Sequence, residues 1–322
     1  MYQEKMSLCL LAYRILKPLT ALIAFLFLAT NLPAQHIPGP DVILTREYNS
    51  DNEPIIYAVN RSSSPYTVSV TFSRLQNTTP PTPNPYVATA KPGRTRLVTL
   101  RKSFRSNRPV RYHYKWRFKL GCKDTEPDTD IEYLLPIAEG DTTQTFKIDY
   151  IGNLIGQQSE DFKAYGFGIN KGDTVYAVRR GRVGRMVDEF DNSDLDKYYT
   201  DQYNFLHIAH EDCTFGVYRH LKKGSFLVDP GDEVEAGDPI AVVASPKQSD
   251  LGRFRLLVMY RNPEYEEGSE ADYWNFVVPE FRTATGEMIT LEPNKRYVAT
   301  HPRDLIFQEM NWREKRRWKR RN

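Results

Sequence analysis

A chain of 322 residues with 40% hydrophobic side chains has room for two ordinary domains, each with its own core. Its formal charge is close to balanced, at +3, and no nucleic-acid partner is expected. Tyrosine and phenylalanine are abundant, proline is frequent and helix-period runs are nearly absent, so the composition points to an all-β protein and away from a helical one.

Residues 1–34 have the pattern of a secretory signal peptide. Lys5, Arg14 and Lys17 form a basic region, Leu19 to Thr30 an apolar one, and Leu32-Pro33-Ala34 a small-residue cleavage site. The apolar run is twelve residues, short of the roughly 20 that span a bilayer. Export to the periplasm or cell envelope of a bacterium is therefore expected. Cys9 precedes the apolar region and is not placed to accept a lipid. Cys122 and Cys213 would remain in the mature chain; they fall in separate predicted domains and read as two isolated thiols, with no neighbouring cysteine at metal spacing.

Residues 41–130 predict an Ig-like β-sandwich. Ile55–Asn60, Thr67–Phe72, Arg96–Leu100 and Val110–Leu120 are its expected strands, separated by proline, serine and asparagine clusters such as Asn77–Pro85. In the last of them Val110, Tyr112, Tyr114, Trp116, Phe118 and Leu120 alternate with Arg111, His113, Lys115, Arg117 and Lys119. One face is apolar and the other basic, which fits either a solvated surface or a site for anionic polymers.

The stretch Tyr218 to Ser245 organises a second domain over residues 133–300. Gly231 and Gly237 mark two tight turns around a short strand, and Phe226–Val228 and Ile240–Val243 flank them as strand-like runs. An upstream half-copy runs from Gly172 through Val178 to Gly181 and Val183. Further strands are expected at Phe276–Phe281, Met288–Leu291 and Tyr297–Val298.

In order along the chain, Gly172 to Ala177, Ile208-Ala209-His210, Tyr218-Arg219-His220-Leu221 and Gly231 to Ile240 resemble the motifs of the lysostaphin-type, or LytM-like, zinc peptidases that cut peptidoglycan cross-links. The resemblance implies a β-barrel-sandwich peptidase domain. The preceding sandwich is similar to the module found ahead of that domain in some exported members, through Tyr57–Asn60, Pro65–Val68 and Tyr133–Pro136.

The zinc ligands that the resemblance implies are missing. Gly166 stands where the family has its aspartate, and Gln157 or Gln158 where it has the first histidine. No histidine occurs between His113 and His207. Phe254 and Leu256 align with the final histidine pair. Of the family's active-site positions His220 is retained, with His210 on the neighbouring strand, and both are expected to hydrogen-bond within the former site. His207 and His210, three apart on one strand, face opposite ways and cannot share an ion.

These departures predict a degenerate member that binds no cofactor. The expected function is an exported, non-catalytic protein that binds peptidoglycan or regulates a cell-wall hydrolase. Its binding positions would be Phe254, Leu256, His220, Gly166 and Gln157, with Phe254 and Leu256 forming an apolar floor that is either an open groove or plugged. The alternative is an active metalloendopeptidase that holds zinc through non-standard ligands. A weaker one is a lipoyl-like adaptor, against which the hairpin tip carries Glu233 and Glu235 and no lysine. Residues 301–322 form a basic tail. There Trp312 and Trp318 among the Lys and Arg residues of Arg313–Arg321 suggest contact with anionic lipid or glycan, set against a solvated, disordered end.

Overall fold

Alternating side chains become strands through much of the described chain. The computed structural model describes residues 40–103, 108–148, 163–191, 202–266 and 272–321. Strands β1 (Val42–Tyr48), β2 (Pro54–Asn60), β3 (Tyr66–Gln76), β4 (Tyr86–Ala90), β5 (Gly93–Thr99) and β6 (Arg111–Leu120) form two three-stranded antiparallel sheets, ordered β1-β2-β5 and β4-β3-β6. Between them Ile56, Ala58, Val68, Val70 and Phe72 are buried, and the Tyr112, Tyr114, Trp116 and Phe118 rings of β6 pack on this core from one side. The alternate residues of β6, Arg111 to Lys119, face solvent. β1 and β4 were not anticipated from the sequence; β1 loses its alternation towards Tyr48, where successive residues are exposed.

The second part comprises β7 (Tyr133–Leu134), β8 (Thr142–Lys147), β9 (Tyr165–Asn170), β10 (Thr174–Tyr176), β11 (Gly181–Val187), β12 (Asn204–Ala209) and β13 (Phe215–Leu221). It continues through β14 (Glu233–Val234), β15 (Pro239–Val242), β16 (Leu251–Arg261), β17 (Trp274–Phe276), β18 (Phe281–Arg282), β19 (Met288–Ile289) and β20 (Arg296–Val298). A nine-stranded sheet runs β14-β11-β12-β13-β16-β9-β8-β20, with β17 also on β16. The two glycine-marked half-copies interlock, since β10 pairs with β15 and β11 with β14. The core lies on one face of the large sheet, where Phe167, Tyr218, Phe254, Leu256, Val175 and Phe281 are buried. Burying each such side chain contributes roughly 1.5–3 kcal/mol, before the entropy of ordering the chain is set against it.

Cys122 and Cys213 form a disulfide, with Cα atoms 5.9 Å apart, which corrects the expectation of two isolated thiols. Separation along the sequence concealed the contact. Gly121, at φ +106°, turns the chain straight after β6; a Cβ there would lie 2.9 Å from Arg261 Cβ, so the close approach requires glycine. The turn delivers Cys122 to the loop between β12 and β13. The Arg261 guanidinium donates to the Lys123 carbonyl (3.0 Å), Lys119 Nζ donates to Tyr265 Oη (2.7 Å), and the Asp128 N–H donates to Asp212 Oδ2 (3.1 Å). Residues 41–322 accordingly form one compact unit.

Arg179, 1% exposed, ties three segments together. Its guanidinium meets Asp212 at 2.8 Å and Glu309 at 2.7 Å. Burial opposes its charge, but Glu309, Tyr133 and Asp212 more than offset that and hold the group firmly protonated.

The C-terminal segment is ordered, which corrects the reading of it as a disordered end. In the helix Arg303–Ile306, Leu305 and Ile306 are buried with Leu134, Ala236 and Met310. The helix Trp312–Arg321 begins at a capping box: Asn311 Oδ1 accepts from the Arg313 and Glu314 N–H groups, and Glu314 accepts from the Asn311 N–H. Trp318 packs edge-on against Phe307 at 5.1 Å, whereas Trp312 is 66% exposed. Glu314 pairs with Arg180 at 2.7 Å. Among the described residues no helix is long and apolar enough to cross a membrane.

Candidate functional site

Antiparallel partners point to the same face of a sheet, so the register of β9, β16, β8 and β13 decides what surrounds Gly166. Gly166 pairs with Arg255 on β16 and with Phe146 on β8, and Arg255 pairs in turn with Arg219 on β13. Arg253 is two residues from Arg255 and shares its face. Phe254 pairs with Phe167, and Leu256 with Tyr218; both lie on the opposite, core face, 1% and 0% exposed. The Phe254 and Phe167 rings stack at 5.2 Å.

This corrects the expectation that Phe254 and Leu256 floor the former site. The residues facing it are Arg253 and Arg255, one position away, because a one-residue change of register moves every side chain to the other face. The alternation Arg253-Phe254-Arg255-Leu256 carried this signal. Arginine is seldom buried without partners, so the polar members belong on the site face and the apolar members inside.

The site face is filled. A Cβ on Gly166 would lie 2.8 Å from Ile148 Cδ1 and 3.2 Å from Phe146 Cβ, and one on Gly168 would lie 2.7 Å from the Phe146 ring. The Arg253 guanidinium rests 4.3 Å from the centroid of the same ring. The remaining space, bounded by Phe146, Ile148, Gly166, His220, Arg253, Phe254 and Arg255, is ≈20 Å³, enough for about one water molecule; Phe254 borders it although its ring is packed on Phe167 in the core. Phe146 and Ile148, neither of them anticipated at this site, fill the space in front of Gly166.

His220 is buried here, at φ +66°, with its ring 5.0 Å from Tyr203. Burial, and then the charges of Arg255 and Arg219, push its pKa down to about 3, so the imidazole is neutral at neutral pH. His210 does not join it. It closes the β12–β13 hairpin at the far end, its N–H donating to the Thr214 carbonyl (2.9 Å), and six strand residues separate the two positions by roughly 20 Å. Its Nδ1–H donates to the Arg180 carbonyl at 2.7 Å, and burial followed by Arg179 lowers its pKa to about 4. The expectation that His210 and His220 share the former site is corrected accordingly. His207 lies on the His220 side, 4.9 Å from the Phe205 ring. Gln157 and Gln158 lie outside the described residues.

Zinc does not fit this arrangement. A catalytic zinc needs three protein ligands and an open position. Among the described residues one neutral imidazole, His220, lies with Arg253 and Arg255, Gly166 offers no side chain, and the hydrocarbon of Phe146 and Ile148 occupies the space in front of it. Among the described residues no group of three His, Cys, Asp or Glu side chains could hold a metal ion. The Gly231–Gly237 hairpin carries no lysine, and its Glu233 pairs with Arg182 at 2.6 Å.

A roomier cavity of ≈560 Å³ lies elsewhere, lined by Ser63, Lys91, Arg180, Arg182, His210 and Glu314 among others. Its two arginines are compensated: Arg180 meets Glu235 and Glu314, and Arg182 meets Glu233.

Residues 161–262 match the model of Peptidase family M23, so this part of the chain is a LytM-like M23 domain and the chain carries a metallopeptidase homologue. Similar solved structures include the M23 metalloprotease pseudoalterin from the deep sea, at 11% identity and a TM-score of 0.30 over 54% of this chain and 98% of that one. Csd3 of Helicobacter pylori, in its orthorhombic crystal, is 12% identical with a TM-score of 0.28 over 86% of this chain and 83% of that one. A zinc-containing peptidase from Vibrio cholerae is 12% identical with a TM-score of 0.30 over 74% of this chain and 88% of that one. No curated protein sequence matches the chain.

Proposed function

We propose that this M23 domain is a non-catalytic member of its family, exported to the bacterial cell envelope, where it binds peptidoglycan or regulates a cell-wall hydrolase. One observation carries the reading. The family's aspartate position is Gly166, packed beneath Phe146 and Ile148, and the strand face paired with it presents Arg253 and Arg255. Hydrolysis in this family runs on a metal-bound water whose pKa the ion lowers. Guanidinium groups in place of ligands repel a dication, and a packed phenyl ring leaves the scissile bond nowhere to sit. Because the former groove is closed, a peptidoglycan stem or a partner's loop would engage a different surface.

The test is metal analysis of the purified mature protein together with a muropeptide-release assay. No stoichiometric zinc and no release are expected. One tightly bound zinc per chain with chelator-sensitive cleavage would establish a metalloendopeptidase with non-standard ligands instead.

A further inference from the structure

At one end of the sandwich lies an open cleft of ≈450 Å³ lined by Arg46, Arg74, Gln76, Arg111, Tyr112 and His113, with Val110. Its basic and polar side chains come from both sheets. Arg46 is on β1, Arg111 and His113 open β6, and Arg74 stands on β3 where the pairing with β6 slips between Ser73 and Gln76. Arg74 has φ +51°, so this bulge places its side chain out of the regular strand alternation.

Among the described residues no carboxylate lines the cleft. Among the described residues Arg46, Arg74 and Arg111 make no ion pair. Arg46 has only phenols near it: the Tyr112 hydroxyl, which raises its pKa, and the Tyr48 ring, 5.3 Å away. The neighbouring Glu47 is already taken by Arg94 at 2.6 Å. The surrounding region adds to the field, since residues 41–130 hold fifteen Lys and Arg against eight Asp and Glu. From the cleft the outer face of β6 continues as exposed His113, Lys115, Arg117 and Lys119, of which Arg117 and Lys119 already make contacts, Lys119 with Tyr265.

We infer that this cleft binds a phosphate-type oxyanion, as a repeating group of an anionic polymer that continues along β6. Three planar forks from three strands suit a tetrahedral oxyanion, which can accept paired N–H bonds on several oxygens at once. The strand supplies same-face cations roughly 7 Å apart for the groups that follow. The contrast with the larger cavity supports the assignment, because there every arginine already has a carboxylate. The inference is independent of whether the M23 domain has lost its metal.

Titration calorimetry on the full mature protein tests it with two probes, inorganic phosphate and linear polyphosphate. The double variant Arg46→Gln/Arg111→Gln should weaken polyphosphate binding roughly tenfold per guanidinium removed. A charge-matched control outside the cleft, Lys91→Gln/Arg96→Gln, should change it less than about threefold. Arg111→Lys keeps the charge but not the fork and should fall between the wild type and Arg111→Gln, which guards against a variant that merely misfolds. If free phosphate also binds and is lost in the double variant, a single-group site is established; if polyphosphate alone binds, the polymer form is. Equal loss in the control, or no binding of either probe, overturns the inference.

Discussion

On the M23 domain Arg219, Arg253 and Arg255 share one sheet face, and Phe146 and Ile148 fill what lies in front of it. On the sandwich Arg46, Arg74 and Arg111 converge on open space. Both clusters are cationic, and they differ in room: ≈20 Å³ against ≈450 Å³. An arginine cluster becomes a candidate site only where a ligand can reach it. In the M23 domain the same residue type serves packing, with the Arg253 guanidinium laid on the Phe146 ring.

The sharpest way to break this comparison is to put a charge on the buried side of β16 and to remove one from the cleft. Phe254→Asp places a carboxylate against Phe167 in a closed core, and a loss of about 4 kcal/mol or more is expected, enough to unfold a domain of ordinary stability. Arg111→Ala, in the open cleft, should stay within about 0.5 kcal/mol of the wild type. Urea denaturation reads both. A folded, stable Phe254→Asp protein would mean that this position faces solvent and that β16 pairs in a different register.

The disulfide joins the two regions, closing a sequence separation of 91 residues. Reduction, or Cys122→Ser with Cys213→Ser, should cost about 3–4 kcal/mol. If the denaturation midpoint is unchanged by reductant, the junction is held by the surrounding hydrogen bonds alone.

Acid should act mainly on the M23 domain. His207 and His220 are held at about 3, and His210 at about 4, each first by burial and then by neighbouring arginines. A native pKa depressed below the unfolded value of 6.5 means that the unfolded chain binds more protons between those limits. Stability is therefore complete above about pH 6.5 and declines towards pH 4, by about 2 kcal/mol per buried histidine at pH 5. Denaturation midpoints at pH 7 and pH 5 check the sign. His220→Gln should flatten the dependence, and an unchanged slope would show that this imidazole is accessible to protons in the native state.

The smallest effect concerns the C-terminal helix. Glu314 is held at about 2, chiefly by its bond to Arg180. Glu314→Gln should cost no more than about 1 kcal/mol, because the pair is partly exposed. Deleting residues 312–322 should leave polyphosphate binding at the sandwich cleft intact; if the deletion abolishes it, the basic helix is the anion site and the cleft is not.

Much of this was present in the linear chain. The strict alternation of Val110–Leu120 determined one buried and one basic face, since a strand has no other way to place its side chains. The order of the glycine and histidine motifs was enough to recognise an M23 domain. The alternation Arg253-Phe254-Arg255-Leu256 separated the two faces of β16, but only cross-strand pairing fixed which face lies beside Gly166, which pairs with Arg255. It also decided the pairing of Cys122 with Cys213, which depends on a turn at Gly121 that no spacing rule reports. The separation of His210 from His220 followed from hairpin geometry, where motifs adjacent along the chain stand at opposite ends of the strands. The sandwich cleft needed three dimensions for the same reason: Arg46, Arg74 and Arg111 are remote in sequence, and packing two sheets together is what makes them neighbours.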